Sequence, residues 1–185
     1  MRNILMAISG PSGVGKGTLV RALLKKRGDV AASVSCTTRP PRTGEREGRD
    51  YFFLDREEFL ARAQENGFLE YDEHFGNYYG TPKSFVKETL KNRSVILEID
   101  VVGALNAKKV FPECVLVMIV PPSEKELRAR LESRSTETEA EIADRLSRID
   151  YELSKREMYD YVVVNDDLDR AVQKLEEIIE KEKNR

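Results

Sequence analysis

Nine residues near the start of the chain have the composition of an anion cradle. Gly10, Pro11, Ser12, Gly13, Val14, Gly15, Lys16, Gly17 and Thr18 follow an apolar run from Ile4 to Ser9. They lead into a segment whose Leu19, Val20, Leu23 and Leu24 share one helical face. In a strand, glycine-rich loop, helix sequence, backbone N–H groups converge on a phosphate chain because no Cβ crowds them, and the helix N-terminus adds partial positive charge. Lys16 contributes a mobile point charge for the terminal phosphates. A plain strand-to-helix turn would account for the glycines but not for a lysine at this offset. The position after the lysine, where a hydroxyl ordinarily ligates Mg²⁺, is Gly17, and Thr18 comes next. Two arrangements stay open. Either the metal is held mainly through water and phosphates, or Thr18 serves the phosphates instead.

Arginine marks two further places. Residues 37–51 hold Arg39, Arg42, Arg46 and Arg49 and no lysine. Guanidinium forks suit planar, bidentate recognition of phosphate or carboxylate. The same composition also suits a solvated loop in which Glu45, Glu47 and Asp50 neutralise the arginines. Arg130, Arg134, Arg145 and Arg148 flank a polar break from Ser133 to Thr138. They read as lid arginines that reach a transferring phosphoryl group, or as a solvated helix face with i,i+4 ion pairs, the latter fitting Arg148 better.

Other chemistries are poorly supplied. The chain has two cysteines, Cys36 and Cys114, and one histidine, His74. That excludes a disulfide framework and Cys/His zinc sites, and no nucleophile elbow accompanies His74 for a Ser-His-Asp triad. A net charge of −2 gives no bulk electrostatic grip on nucleic acid or membrane. Apolar runs such as Val115 to Val120 are too short to span a bilayer, and the first residues lack a leader's apolar stretch and cleavage site. We therefore expect no nucleic-acid or membrane partner and a cytoplasmic location.

The elements that must position these groups follow an α/β rhythm. With 185 residues, 40% of them hydrophobic, the chain can bury one sizeable core. Strands are expected at Ile4 to Ser9, Ala32 to Ser35, Val95 to Ile99, Val115 to Val120 and Tyr161 to Val164, the β-branched runs being of the kind buried in parallel sheets. From Cys36 to about Lys91 the rhythm breaks. Prolines, glycines and most of the aromatics gather there, with a helix opening at Asp55 between short strands at Tyr51 to Leu54 and Phe68 to Glu73. This is an inserted subdomain. Ser123 with Glu126 offers another capping box, Ile142, Leu146, Ile149 and Leu153 a long helix, and Asp166 or Asp167 the cap of a last helix with stripe Leu168, Val172, Leu175 and Ile179.

At this point the motifs become specific. Ser35, Cys36, Thr37, Thr38, Arg39, Pro40, Pro41, Arg42, Thr43, Gly44 and Glu45, with Gly48, Arg49, Asp50 and Tyr51, resemble the signature of the guanylate kinase family. Gly76, Asn77, Tyr78, Tyr79, Gly80 and Thr81, and the tail segment Val164, Asn165, Asp166, Asp167 and Leu168, resemble the same family. The similarity runs over nearly the whole chain. It implies a three-layer α/β P-loop kinase fold with a parallel central sheet, an inserted small GMP-binding subdomain and a helical lid. The corresponding spans are a core of 1–35, 92–126 and 157–185, a GMP-binding subdomain of 36–91 and a lid of 127–156.

The resemblance also implies roles, position by position. Arg39, Arg42, Tyr51 and Tyr79 would hold the GMP phosphate, and Ser35, Glu70 and Thr81 would read the guanine edge. Glu45 and Asp100 would line the same site. A carboxylate at Glu70 can accept from guanine N1–H and N2–H₂ together, a donor pair adenine lacks; by its residue type alone Glu70 is an ordinary strand residue. Of Tyr78 and Tyr79, neighbours on a strand, only one can face the site. Arg134 and Arg145 match the family's lid arginines, with Ser135 standing where the family's Arg-Gly-Thr-Glu pattern has glycine. Glu98 stands where the family commonly has Asp. Asn165 matches a position near the adenine of ATP, although helix capping beside Asp166 would explain it as well. The implied reaction is phosphoryl transfer from ATP to GMP, giving ADP and GDP, with Mg²⁺ as cofactor and Thr18 and Asp100 as candidate protein ligands. Catalysis would rest on Lys16, Arg39, Arg134 and Arg145. Two rivals use the same loops: a small P-loop kinase acting on a ribose phosphate, which needs no guanine reader, and a binding domain of the same fold, which needs no intact Lys16 loop.

Overall fold

A computed structural model describes residues 2–74, 76–123, 126–127 and 148–185. In chain order its elements are β1 (Leu5–Ser9), α1 (Lys16–Lys26), β2 (Val30–Ala32), β3 (Cys36–Thr37), β4 (Phe52–Phe53), α2 (Arg56–Gln64), β5 (Phe68–His74) and β6 (Asn77–Pro82). There follow α3 (Lys83–Leu90), β7 (Ser94–Glu98), α4 (Val101–Val110), β8 (Val115–Val120), a 3₁₀ turn at Arg156–Met158, β9 (Tyr161–Val164) and α5 (Leu168–Lys183).

Two sheets result. The larger has the order β2-β7-β1-β8-β9 with every pair parallel. Its inner strands carry the apolar runs Leu5 to Ile8, Val95 to Leu97 and Val115 to Val120 because both faces are covered. On one face α1 and α5 bury Leu19, Val20 and Leu23 against Val172, Leu175 and Ile179. On the other, Val86 of α3 and Ala104 and Ala107 of α4 pack on Val95, Leu97 and Leu116. Helices over both faces of a parallel sheet make three layers. β1 lies between β7 and β8, so the chain leaves its carboxyl end where neighbouring connections diverge, the place where open α/β sheets bind ligands.

The smaller sheet has the order β4-β3-β6-β5. It is stapled by an aromatic stack in which the ring centroids of Phe59 and Phe68 lie 4.4 Å apart and those of Phe59 and Tyr78 5.3 Å apart. The expected cap of α2 is present: the Asp55 side chain accepts the Glu58 N–H at 2.7 Å. β5 and β6 form a hairpin closed at Gly76, whose φ of 75° suits glycine.

Several expectations shift. The strand expected at Ala32 to Ser35 is instead Val30–Ala32. Its partner β7 sets the register Val30↔Ser94, and Ser35 has already left for the other sheet, where its carbonyl accepts the Phe52 N–H at 2.9 Å. The last helix is capped by Asp167, which accepts from the Arg170 N–H at 2.9 Å. Leu168, expected in its buried stripe, is 39% exposed because it directly follows that cap; Ala171 and Ile178 complete the stripe instead. The Ser123 hydroxyl accepts the Glu126 N–H at 3.1 Å, as a capping box requires. Residues 148–154 are helical, and Ile149 and Leu153 pack with Leu127. The lid arginines Arg130, Arg134 and Arg145, and Ser135, lie outside the described residues.

Candidate active site

The loop after β1 is wound for anions. Gly10, Gly13 and Gly15 have φ of 146°, 83° and 94°, backbone conformations that favour glycine. Gly15 is the N-cap of α1, so Lys16, Gly17 and Thr18 form the helix's first turn and their N–H groups point outward. Asn165, at the end of β9, donates its amide to the Val14 carbonyl at 2.8 Å. It fastens the tip of the loop to the sheet. Lys16 Nζ is folded onto the loop, donating to the carbonyls of Gly10 and, at 3.1 Å, Pro11. Burial lowers the pKa of this ammonium, while the charges of Glu152, Glu98 and Asp100 act in the opposite sense.

Glu98 and Asp100 are also the far wall of a second compartment. A cavity of about 180 Å³ is lined by Ser35, Tyr51, Glu70, Asp72, Tyr79, Gly80, Glu98, Ile99 and Asp100. It brings together residues from both sheets and sits next to the lysine of the loop. Of the positions the resemblance assigned to GMP, Ser35, Tyr51, Glu70, Tyr79 and Asp100 line it directly. Thr81 is fully buried behind them and donates its hydroxyl to Glu70 Oε1 at 2.6 Å. Burial raises the pKa of Glu70, opposed by the Thr81 hydrogen bond and reinforced by the charges of Asp100 and Asp72. Asp100 has a second duty. It caps α4, accepting the Gly103 N–H at 2.7 Å.

The arginine segment forms the cavity's polar shoulder. Arg39 meets Glu45 through two parallel bonds, Nη1 to Oε2 at 3.0 Å and Nη2 to Oε1 at 2.9 Å. Its guanidinium carbon lies 5.4 Å from the centroid of the Tyr51 ring, and Tyr51 stands 6.1 Å edge-on from Tyr79. Glu45 also accepts the Arg42 N–H at 2.7 Å. Glu45 therefore holds one edge of the Arg39 fork and turns the other toward the two phenols. Arg42 is exposed and joins this cluster through its backbone N–H. Tyr78 faces the opposite way, into the aromatic stack, so one tyrosine of the pair looks into the cavity.

Oxygen donors around the loop suit Mg²⁺ in kind though not in number. Thr18 Oγ1 accepts from Arg21 at 3.2 Å, and one Asp100 oxygen is taken by the cap of α4. No group of three His, Cys, Asp or Glu side chains among the described residues could hold a metal ion. Such a site fits an ion that arrives on nucleotide phosphates and keeps its waters. The thiols are not candidates for chemistry. Burial pushes Cys36 up to about 11 and Cys114 up to about 12.

The guanylate kinase family model matches residues 2–182. The chain belongs to the guanylate kinase family. The guanylate kinase of Caldanaerobacter subterraneus subsp. tengcongensis is 49% identical over 185 residues, covering 100% of this chain and 90% of that protein. The one from Symbiobacterium thermophilum is 46% identical, covering 100% and 88%. Among solved structures, guanylate kinase from Anaplasma phagocytophilum aligns over 100% of this chain and 88% of its own, with a TM-score of 0.76 and 34% identity. The three-layer P-loop kinase architecture is thus common to this chain and its family.

Three residues of the site escaped residue-by-residue reading. Glu98, left without a role, lines the cavity and acts on Lys16. Asp72 lines it too, and the period-2 alternation from Glu70 already placed both on one face of a strand. Glu152, half-buried and facing the loop lysine, comes from a helix whose polar side reads in sequence as solvated.

Proposed function

We infer that the chain transfers the γ-phosphoryl group of ATP to GMP, giving ADP and GDP, with the donor on the loop 10–18 and the acceptor in the cavity beneath Arg39. The observation that carries this reading is the shared wall: Glu98 and Asp100 line the cavity and also act on Lys16, so the two anion cradles open toward each other. In this reading the backbone of Gly10 to Thr18 and the Lys16 ammonium hold the ATP phosphates, with Asn165 near the adenine. Lys16 leaves its two loop carbonyls for the incoming phosphates. Ser35, Glu70 and Thr81 hold guanine. Thr81 keeps Glu70 Oε1 in place, and the carboxylate meets the N1–H and N2–H₂ donors. Arg39, Arg42, Tyr51 and Tyr79 hold the GMP phosphate, and Glu45 orients Arg39.

A phosphomonoester's second pKa is about 6, so the attacking phosphate oxygen is already unprotonated at neutral pH and no strong base is required. Catalysis is positioning and charge neutralisation by Lys16 and Arg39, joined by Arg134 and Arg145 from the lid. Mg²⁺ would be carried mainly by the phosphates and water, near Thr18 and Asp100, and supplies further charge neutralisation. A coupled assay of ADP formation with GMP, AMP, CMP, UMP and a ribose phosphate as acceptors tests the reading. Turnover should appear with GMP and fall by orders of magnitude with AMP; comparable rates for both would remove Glu70 as the base selector and the assignment with it.

A further inference from the structure

β5 carries two acids on the face that bears Glu70, and only one of them is spoken for by guanine. The strand alternates. Tyr71 turns to the aromatic cluster, its ring centroid 6.0 Å from those of Phe59 and Phe68, while Glu70 and Asp72 both line the cavity. β6 supplies the matching partners. Thr81 bonds Glu70, and Tyr79 is registered opposite Asp72. The cavity floor therefore has two rungs: Glu70 with Thr81, then Asp72 with Tyr79. Residues two apart on a strand are spaced about 6.6 Å along it. Tyr79 belongs with Tyr51 and Arg39 to the phosphate end, Glu70 to the base end. A nucleoside monophosphate laid along these rungs has its base at Glu70 and its phosphate at the tip of the Tyr79 side chain, so its sugar spans the interval between the rungs, within reach of the shorter Asp72 side chain across from Tyr79.

Chemistry agrees with that placement. The charged residues lining the cavity are Glu70, Asp72, Glu98 and Asp100, and none is basic. Such a wall suits hydrogen-bond donors, which a nucleotide offers from its base edge and its sugar hydroxyls. The Asp72 carboxylate is held by the backbone, one oxygen accepting the Glu73 N–H at 2.7 Å. Its charge reaches Glu70, so it faces the same space.

Resting on the reading of the cavity as the GMP site, we infer that Asp72 is a specificity residue that accepts the ribose 2′-hydroxyl of GMP and so favours the ribonucleotide over dGMP. A hydroxyl-to-carboxylate bond changes affinity by about tenfold or more. Steady-state kinetics with GMP and dGMP on the wild type, Asp72→Asn and Asp72→Ala test this. The wild type should favour GMP by about tenfold or more in kcat/KM. Asp72→Ala should bring that ratio close to one, through a higher KM for GMP with kcat and the dGMP constants little changed, and Asp72→Asn should fall between. Asp72 is exposed, so the variants should melt like the wild type. A ratio that survives in Asp72→Ala, an equal loss for both nucleotides, or a wild type indifferent to the 2′-hydroxyl would each overturn the inference while leaving the kinase reading intact. A wild type that phosphorylates neither nucleotide would overturn the kinase reading, and the inference with it.

Discussion

At the scale of single residues, Glu70 sets function against stability. Burial raises its pKa, so the folded chain disfavours the ionised carboxylate that guanine requires. A carboxyl whose folded pKa lies above its unfolded value gives stability that is present at low pH and lost as pH rises through the folded pKa. At neutral pH Glu70 therefore contributes no stability by ionising. Glu70→Gln should melt no lower than the wild type, while GMP binding weakens by about a hundredfold, since an amide offers donors where guanine also offers donors. Titration calorimetry should find ATP affinity nearly unchanged. In the wild type KM for GMP should climb as pH falls through a midpoint above the usual carboxylate value of 4.5, more steeply than protonation of the GMP phosphate alone would make it, and Glu70→Gln should keep only the phosphate's part of that climb. Lys16 calls for the opposite signature. Lys16→Ala should lower kcat by about a hundredfold or more, since it removes charge matched to the transferring group. Circular dichroism should be preserved, because among the described residues the hydrogen bonds of the ammonium go to carbonyls of its own loop.

At the scale of elements, the phosphate loop is fixed by how closely its backbone approaches its neighbours. A Cβ on Gly10 would lie 2.2 Å from the Ile119 carbonyl oxygen, a backbone atom of β8 that cannot move aside. A Cβ on Gly15 would lie 2.7 Å from the Asn165 amide, which can. On Gly44 it would meet nothing within 4 Å. All three have positive φ, so alanine is strained at each by roughly 1–3 kcal/mol, and the steric part alone separates them. Gly10→Ala should unfold at the lowest urea concentration, Gly15→Ala at an intermediate one, and Gly44→Ala at the highest. Adding Asn165→Ala should recover part of the Gly15 loss and none of the Gly10 loss. Equal losses at Gly10 and Gly44 would show that conformational strain alone decides. These elements also mark what could be read beforehand. The loop, the Asp55 and Ser123 caps and the strand Tyr161–Val164 are encoded locally, in spacing and hydrogen-bonding side chains, and they stand where the sequence indicates. The strand near Ala32 was displaced because its partner β7, more than sixty residues on, sets its register. Asp72 and Glu98 went unassigned for the same reason. A carboxylate's role depends on which cavity its strand happens to face, and that is decided by pairing between distant segments.

At the scale of the molecule, folding energy and chemistry sit at opposite ends of the large sheet. The cradles lie at the carboxyl ends of β1 and β7. At the other end, before β2, Asp29 joins α1 to the end of α5. It receives two bonds from Arg27 at 2.7 Å each and one from Lys183 Nζ at 2.6 Å, with Glu180 bound to the same arginine. Lys183 is 9% exposed, so it depends on this partner, while Asp29 is 41% exposed and partly screened by water. The Arg27 hydrogen bond, followed by that of Lys183, holds the Asp29 carboxyl well below the usual carboxylate range. For a depressed acid the stability is present above the unfolded value of 3.8 and is lost as pH falls through the folded pKa. Asp29→Asn should therefore cost about 1–2 kcal/mol at pH 7, chiefly through the buried ammonium left behind. Lys183→Met in the same chain should return part of that loss, a coupling that separate surface effects would not produce. The gap between wild type and Asp29→Asn should narrow as pH falls below 3.8, since Asp29 of the unfolded chain then takes up a proton that the folded carboxylate, with its lowered pKa, still lacks. Because the tie lies at the end of the sheet away from Lys16 and Glu70, kcat and both KM values should not move at temperatures where the variant stays folded. A fall in kcat without a change in the urea midpoint would mean instead that the junction of α1 and α5 reaches the phosphate loop through α1.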